Sequence, residues 1–150
     1  MMLVAVGLNH QTAPIALRER VAVAPESLAQ AAAALRATPG VLEAVVVSTC
    51  NRTEIYCSVE PGAQAAPAAW LHEFHGLRPS QLDEFLYRHV DSAMVRHLFR
   101  VATGLDSMVL GEPQVLGQVK ESWQRAREAG SLGNRLDRLF QNAFAVAKRA

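Results

Sequence analysis

Two short β-strands joined by five polar residues constrain the fold more than any other part of this sequence. Residues 43–48 are rich in β-branched side chains, and residues 54–59 alternate between polar and apolar side chains. Both patterns are typical of strands. The intervening residues 49–53, Thr-Cys-Asn-Arg-Thr, are short enough to form a turn. We therefore predict a β-hairpin with a polar bend.

The segments around this hairpin complete an α+β pattern. An apolar strand over residues 3–8 precedes Pro14, which suits the first turn of a helix, and an Ala-rich helix follows over residues 25–37. Beyond the hairpin, we expect a helix around Trp70 and a strand at residues 85–87. The order β-α-β-β-α-β predicts a ferredoxin-like split βαβ sandwich with an antiparallel sheet and helices on one face.

Helical patterns alone follow residue 90. Asp91 is a suitable N-cap for a helix that ends near Gly104, a second helix runs from Pro113 to Gly130, and a third begins near Leu132. The third pattern reaches residue 150 without a stop signal, so we expect the chain to continue into further domains. The predicted division is 1–90 for the sandwich, 91–131 for a helical part and 132–150 for the start of a long connecting helix.

Composition narrows the classes of function. The formal net charge is +1, so any RNA is expected to be held locally rather than by a broad basic surface. The amino-terminal apolar run is short and has no basic segment before it, so we expect no signal peptide, no membrane contact and a cytoplasmic location. The two cysteines lack zinc-site spacing, and the His72–His75 segment lacks the spacing of a zinc motif, so no metal is expected.

The hairpin bend carries the strongest chemical signal. Cys57 lies in the apolar row of its strand and is expected to be buried, whereas Cys50 lies among polar neighbours at the bend. Arg52, two residues away, would favour the thiolate that a nucleophile needs. With no histidine nearby in sequence, an inert turn cysteine remains an alternative at this point.

Two other segments are rich in small and polar residues. GLNHQTAP, residues 7–14, follows the first strand, and GLDSMVLGEPQVLGQVK, residues 104–120, connects two predicted helices. Either segment can form part of a pocket wall or serve only as a helix cap and connection. The sequence contains no G-x-G-x-x-G, so the phosphate-binding turn of a Rossmann domain is missing from these residues.

Together with STCNRTEIY, residues 48–56, these segments closely resemble the amino-terminal region of glutamyl-tRNA reductases, in the same order and spacing. The resemblance covers nearly the whole chain. It implies the NADPH-dependent reduction of glutamyl-tRNA to glutamate-1-semialdehyde, the first step of tetrapyrrole (haem) biosynthesis by the five-carbon route. NADPH would bind to a domain outside this chain.

The resemblance also assigns residues. It implies Cys50 as the catalytic nucleophile that forms a thioester. His97 would orient the ester or move a proton. Arg52 would pair with the glutamyl carboxylate. The other substrate-binding residues would be Thr49, Ser107, Glu112 and Gln114. The implied partners are glutamyl-tRNA, a second copy through a carboxyl-terminal dimerisation domain, and glutamate-1-semialdehyde aminomutase for product transfer.

Two alternatives remain. A general thiol acyltransferase or hydrolase would also use an activated cysteine, but it would need a base and a partner that orients it. A non-enzymatic RNA-binding or adaptor domain on a ferredoxin-like fold would expose stacking aromatic residues on its sheet. Its candidates here are Tyr56, Phe85 and Tyr87.

Overall fold

A computed structural model describes residues 1–106 and 113–149. The strands are β1 (Met2–Asn9), β2 (Val41–Ser48), β3 (Arg52–Val59) and β4 (Tyr87–Val90). The helices are α1 (Ile15–Val21), α2 (Leu28–Arg36), α3 (Ala66–His75), α4 (Pro79–Leu82), α5 (Ser92–Ala102), α6 (Pro113–Ala129) and α7 (Asn134–Arg149). Single 3₁₀ turns occupy Pro25–Ser27 and Asp83–Phe85.

The four strands form one antiparallel sheet in the order β2-β3-β1-β4. In this order β3 lies between β1 and β2, and β1 lies between β3 and β4. The two βαβ units therefore interleave, which is the arrangement predicted from the sequence. In the pairing of β1 with β3, Asn9 lies opposite Arg52 and Gly7 lies opposite Glu54. The amino-terminal end of β3 is therefore fixed beside the carboxyl-terminal end of β1.

Helices cover both faces of this sheet, which corrects the expectation of helices on one face only. On one face, β1 and β3 pack with residues of α1 to α4 around Leu35, Trp70 and Leu82. On the other face, Tyr56 and its neighbours pack with α5, α6 and α7 around Met94 and Phe140. Every residue of β3 is consequently buried. The division into residues 1–90, 91–131 and 132–150 stays a prediction.

Three local expectations change in the structure. The bend is only residues 49–51, because Arg52 and Thr53 already pair with β1. The last strand begins at Tyr87, since residues 83–85 form a 3₁₀ turn. Asp91 is the N-cap residue of α5, as predicted, and has a φ of 50°, but its side chain makes no bond to the helix; its carboxylate instead accepts a 3.0 Å hydrogen bond from the amide of Leu3.

Within the described residues, none of the helices combines the length and the hydropathy needed to cross a bilayer.

Candidate active site

Short hydrogen bonds hold the hairpin bend in one conformation. The amide of Thr49 donates to the carbonyl of Arg52 at 2.8 Å, and the amide of Asn51 donates to Oγ1 of Thr49 at 3.2 Å. Below the bend, the hydroxyls of Ser48 and Thr53 are 2.9 Å apart. These bonds fix Cys50 on a rigid strand pair, where a loop residue is well placed for chemistry.

The two cysteines differ as predicted. Cys50 is exposed, whereas Cys57 is fully buried, and burial raises the pKa of the Cys57 thiol. Cys50 and Thr49 line a surface pocket of about 420 Å³ that also includes Gln118 of α6. Arg18 of α1 donates to the carbonyl of Cys50 at 3.4 Å. Cys50 is therefore the thiol that a substrate can reach.

Arg52 is buried and bound by two carboxylates. Its Nη1 donates at 3.1 Å both to Glu54 Oε2 and to Asp106 Oδ2, and its Nη2 donates to the carbonyl of Asp106. The Arg52 side chain is 2% exposed, Glu54 is 0% exposed and Asp106 is 18% exposed. Of the two carboxylates, only that of Asp106 is therefore open to replacement from solution.

Glu54 is the centre of the polar network. In addition to its bond with Arg52, the Glu54 carboxylate accepts a 2.7 Å hydrogen bond from the hydroxyl of Tyr56 and another from the hydroxyl of Tyr87. It also contacts Nε2 of His97. Four side chains from β3, β4 and α5 thus converge on one buried carboxylate. Such a group stays charged only if its partners compensate for the loss of water.

The pKa of Glu54 reflects that competition. Burial alone would raise it, but the hydrogen bond and charge of His97, together with the charge of Arg52, outweigh burial and lower the pKa from 4.5 to about 2. Glu54 is therefore a carboxylate at neutral pH. Burial and the negative charge of Glu54 raise the pKa of both tyrosines, so their hydroxyls remain donors.

An open cleft of about 430 Å³ lies beside this network. Tyr87, His89, His97 and Asp106 contribute to its wall. The rings of His89 and His97 stack with centroids 4.3 Å apart. Because Nε2 of His97 contacts Glu54, we place a hydrogen on that nitrogen, and Nδ1 is the ring nitrogen that Glu54 does not use.

The structure unites some of the predicted residues and not others. Arg52 and His97 meet through Glu54, whereas Cys50 and Thr49 line a separate pocket rather than the cleft. Gln114 is exposed in the first turn of α6. Ser107 and Glu112 lie outside the described residues, so their predicted roles stay predictions.

Sequence reasoning missed Glu54, Asp106 and Tyr87 as members of the site. Glu54 belongs to the alternating polar row of β3, a pattern that normally indicates a solvated sheet face. That face is covered by α5, α6 and α7, so the polar row becomes an internal network. The available signal was the presence of Glu54 and Tyr56 in one row of the strand that also holds Arg52.

Comparison with known proteins shows the family of the chain. The family model described as "Glutamyl-tRNAGlu reductase, N-terminal domain" matches residues 6–150. The chain belongs to this family. A glutamyl-tRNA reductase of Stenotrophomonas maltophilia (strain K279a) is 61% identical over 150 residues, which are 100% of this chain and 34% of the relative. A glutamyl-tRNA reductase of Nitrosococcus oceani is 52% identical over 149 residues, covering 99% of this chain and 36% of the relative.

A solved structure shares the fold. The glutamyl-tRNA reductase from Methanopyrus kandleri superimposes with a TM-score of 0.78 at 30% identity, covering 98% of this chain and 33% of that one. The chain thus spans about a third of the length of the relatives that it matches.

Proposed function

We propose that this chain carries out the thioester-forming half of glutamyl-tRNA reduction, with Cys50 as the nucleophile. The supporting observation is an exposed thiol on a rigid bend, two residues from a buried arginine in the Glu54 network. The Cys50 thiolate attacks the ester carbonyl and forms an S–C bond. The C–O bond to the terminal ribose then breaks, and the ribose oxygen leaves as the free tRNA hydroxyl, gaining one proton in place of the one that the Cys50 thiol lost on ionising.

Arg52 selects the glutamyl side chain in this proposal. The incoming carboxylate replaces that of Asp106 on the guanidinium, while Glu54 remains as the buried partner. A charge-assisted hydrogen bond of this kind contributes about 1.5–3 kcal/mol. A glutamine side chain presents an NH₂ group to the same donors, so discrimination against glutaminyl-tRNA follows.

His97 orients the ester or carries the proton that the leaving ribose oxygen takes up. Glu54 orients the ring through Nε2, so Nδ1 is the nitrogen available for that proton. Thr49, Ser107, Glu112 and Gln114 bind the amino acid by hydrogen bonds, as the family resemblance implies.

Reduction belongs to residues outside this chain. The sequence holds no G-x-G-x-x-G, so these residues do not fit the pyrophosphate of NADPH, and the chemistry of this chain ends at the thioester. The complete protein acts in the first step of tetrapyrrole biosynthesis, in the cytoplasm, as a homodimer that passes its product to glutamate-1-semialdehyde aminomutase.

The adaptor alternative has less support. It needs aromatic rings on an open sheet face, yet Tyr56 is fully buried and the Tyr87 hydroxyl bonds to Glu54. Phe85 packs partly buried against the first core. The general hydrolase alternative needs a base that contacts the thiol. In the described residues the hydrogen bonds of His97 connect it to Glu54 instead.

Mixing the chain with glutamyl-tRNA and isolating the protein under acid conditions tests the proposal. We expect one glutamyl group on Cys50, released by hydroxylamine, in the wild type and in the buried-thiol control Cys57→Ala. Cys50→Ser should form no hydroxylamine-labile adduct. Deacylation of glutamyl-tRNA by Cys50→Ser at the wild-type rate, or an adduct on another residue, would show that the nucleophile is misassigned.

A further inference from the structure

The outer part of the cleft carries two arginines that the proposed chemistry does not use. Arg96 and Arg100 are four residues apart on α5, so they project from the same side of that helix. Both are exposed, and both line the cleft that also contains His97 and Asp106. Their guanidinium groups are therefore available at the entrance to the site.

In the described part of the chain, few negative charges offset these arginines. Arg100 lies 3.8 Å from Asp106, but that carboxylate is already bound by Arg52 at 3.1 Å. The ion pairs found in residues 1–106 and 113–149 do not include Arg96. The charge of Glu54 is compensated inside the protein by Arg52 and His97. Among the residues that the structure describes, the lining of the entrance is thus locally positive in a chain whose net charge is only +1.

Another part of the cleft lining is polar and rigid. Asn9, Gln11 and Thr12 line it from the turn between β1 and α1. Oδ1 of Asn9 accepts hydrogen bonds from the amides of Gln11 at 2.9 Å and Thr12 at 3.2 Å. These amides are used within the turn, so the exposed side-chain amide of Gln11 is the group that can contact phosphate or sugar.

We propose that Arg96 and Arg100 bind the backbone phosphates at the single-stranded 3′ end of the tRNA. The inference rests on the proposed function, because the reacting ester is attached to the terminal ribose. The first phosphate is therefore only one nucleoside away from the carbonyl that Cys50 attacks. Arginine suits this position since its planar fork binds phosphate oxygens in pairs.

A second pair of arginines lines a different pocket. Arg135 and Arg138 of α7 line a separate pocket that includes Leu3. None of the residues that line this pocket also lines the cleft. Arg135 and Arg138 therefore provide a matched control in which two surface arginines are also changed.

Fluorescence anisotropy with RNA that carries no amino acid tests the assignment. The probes are an acceptor-stem hairpin with its unpaired 3′ nucleotides and the same hairpin without them. We expect the tail to strengthen binding to the wild type, and Arg96→Gln with Arg100→Gln to weaken binding of the tailed probe on the order of tenfold. The slope of the logarithm of the binding constant against the logarithm of the salt concentration should become less steep by about 1.4, or about 0.7 for each lost single-strand phosphate contact.

The controls separate charge from structure. Arg135→Gln with Arg138→Gln should bind the tailed probe like the wild type, and Arg96→Lys with Arg100→Lys should keep most of the salt dependence because both charges remain. Circular dichroism verifies that each variant is folded.

Equal binding of the two probes by the wild type overturns this inference. So does an unchanged affinity in the Arg96→Gln, Arg100→Gln variant, or a loss of affinity confined to the α7 variant. Because the RNA carries no amino acid, the result does not depend on acylation of the protein. If the tail strengthens binding but no adduct forms on Cys50, that outcome contradicts the proposed function and not this inference.

Discussion

Replacing Glu54 by Gln tests whether one buried carboxylate organises the candidate site. The substitution keeps the shape of the side chain but removes the charge shared by Arg52, Tyr56, Tyr87 and His97. The new amide also places donor hydrogens among groups that are themselves donors. We therefore expect a loss of stability well above that of an ordinary surface substitution.

Two estimates of the loss agree. Removing one partner of a buried ion pair costs about 3–5 kcal/mol. Independently, lowering the pKa of Glu54 from 4.5 to about 2 corresponds to about 3 kcal/mol of stabilisation. For a chain of this length, that loss lowers the midpoint of thermal unfolding by roughly 6–20 °C.

The pH dependence has a definite sign. Because the folded pKa is depressed, the contribution of Glu54 is complete above about pH 4.5 and disappears as the pH falls towards 2. As the pH falls through that window, the free energy of unfolding of the wild type should thus decrease by about 3 kcal/mol more than that of Glu54→Gln.

Urea unfolding followed by circular dichroism, at pH 7 and at several values between 2 and 5, measures both effects. As a control, Glu60→Gln changes an exposed glutamate directly after β3 and should change stability by less than about 0.5 kcal/mol. A Glu54→Gln variant within about 1 kcal/mol of the wild type at pH 7, with a parallel pH profile, would refute the reasoning.

Three further outcomes follow from packing and exposure. Gly7→Ala should clearly lower the midpoint of thermal unfolding, because a Cβ there would lie 2.6 Å from a carbonyl oxygen of β3. Gly117→Ala, by contrast, has open space around the added Cβ and should raise the stability by up to about 1 kcal/mol. Equal melting curves for the two variants would contradict this expectation. Iodoacetamide should label Cys50 in the native chain and Cys57 only after denaturation, as peptide mass spectrometry can verify; native labelling of Cys57 would contradict its burial. Tyr56→Phe should cost about 1.5–3 kcal/mol in urea unfolding, since its hydroxyl donates to a buried carboxylate, and an unchanged midpoint would count against that bond.

The sequence by itself determined the local elements and the family. Alternation in residues 54–59 placed Cys57 in the core, and the polar bend left Cys50 outside, as the structure confirms. The motifs at residues 7–14, 48–56 and 104–120 identified the family because they are long and ordered. These features depend on residues close together in the chain, which is where periodicity and turn chemistry act.

Tertiary structure alone decided what surrounds the reactive segment. Nothing in the local pattern of β3 shows that α5, α6 and α7 cover its second face, so Glu54 could not be recognised as buried. The partners of Arg52 come from positions 54 and 106, and His97 joins them from α5. Burial and charge pairing arise between segments distant in sequence, and only the packed chain brings those segments together.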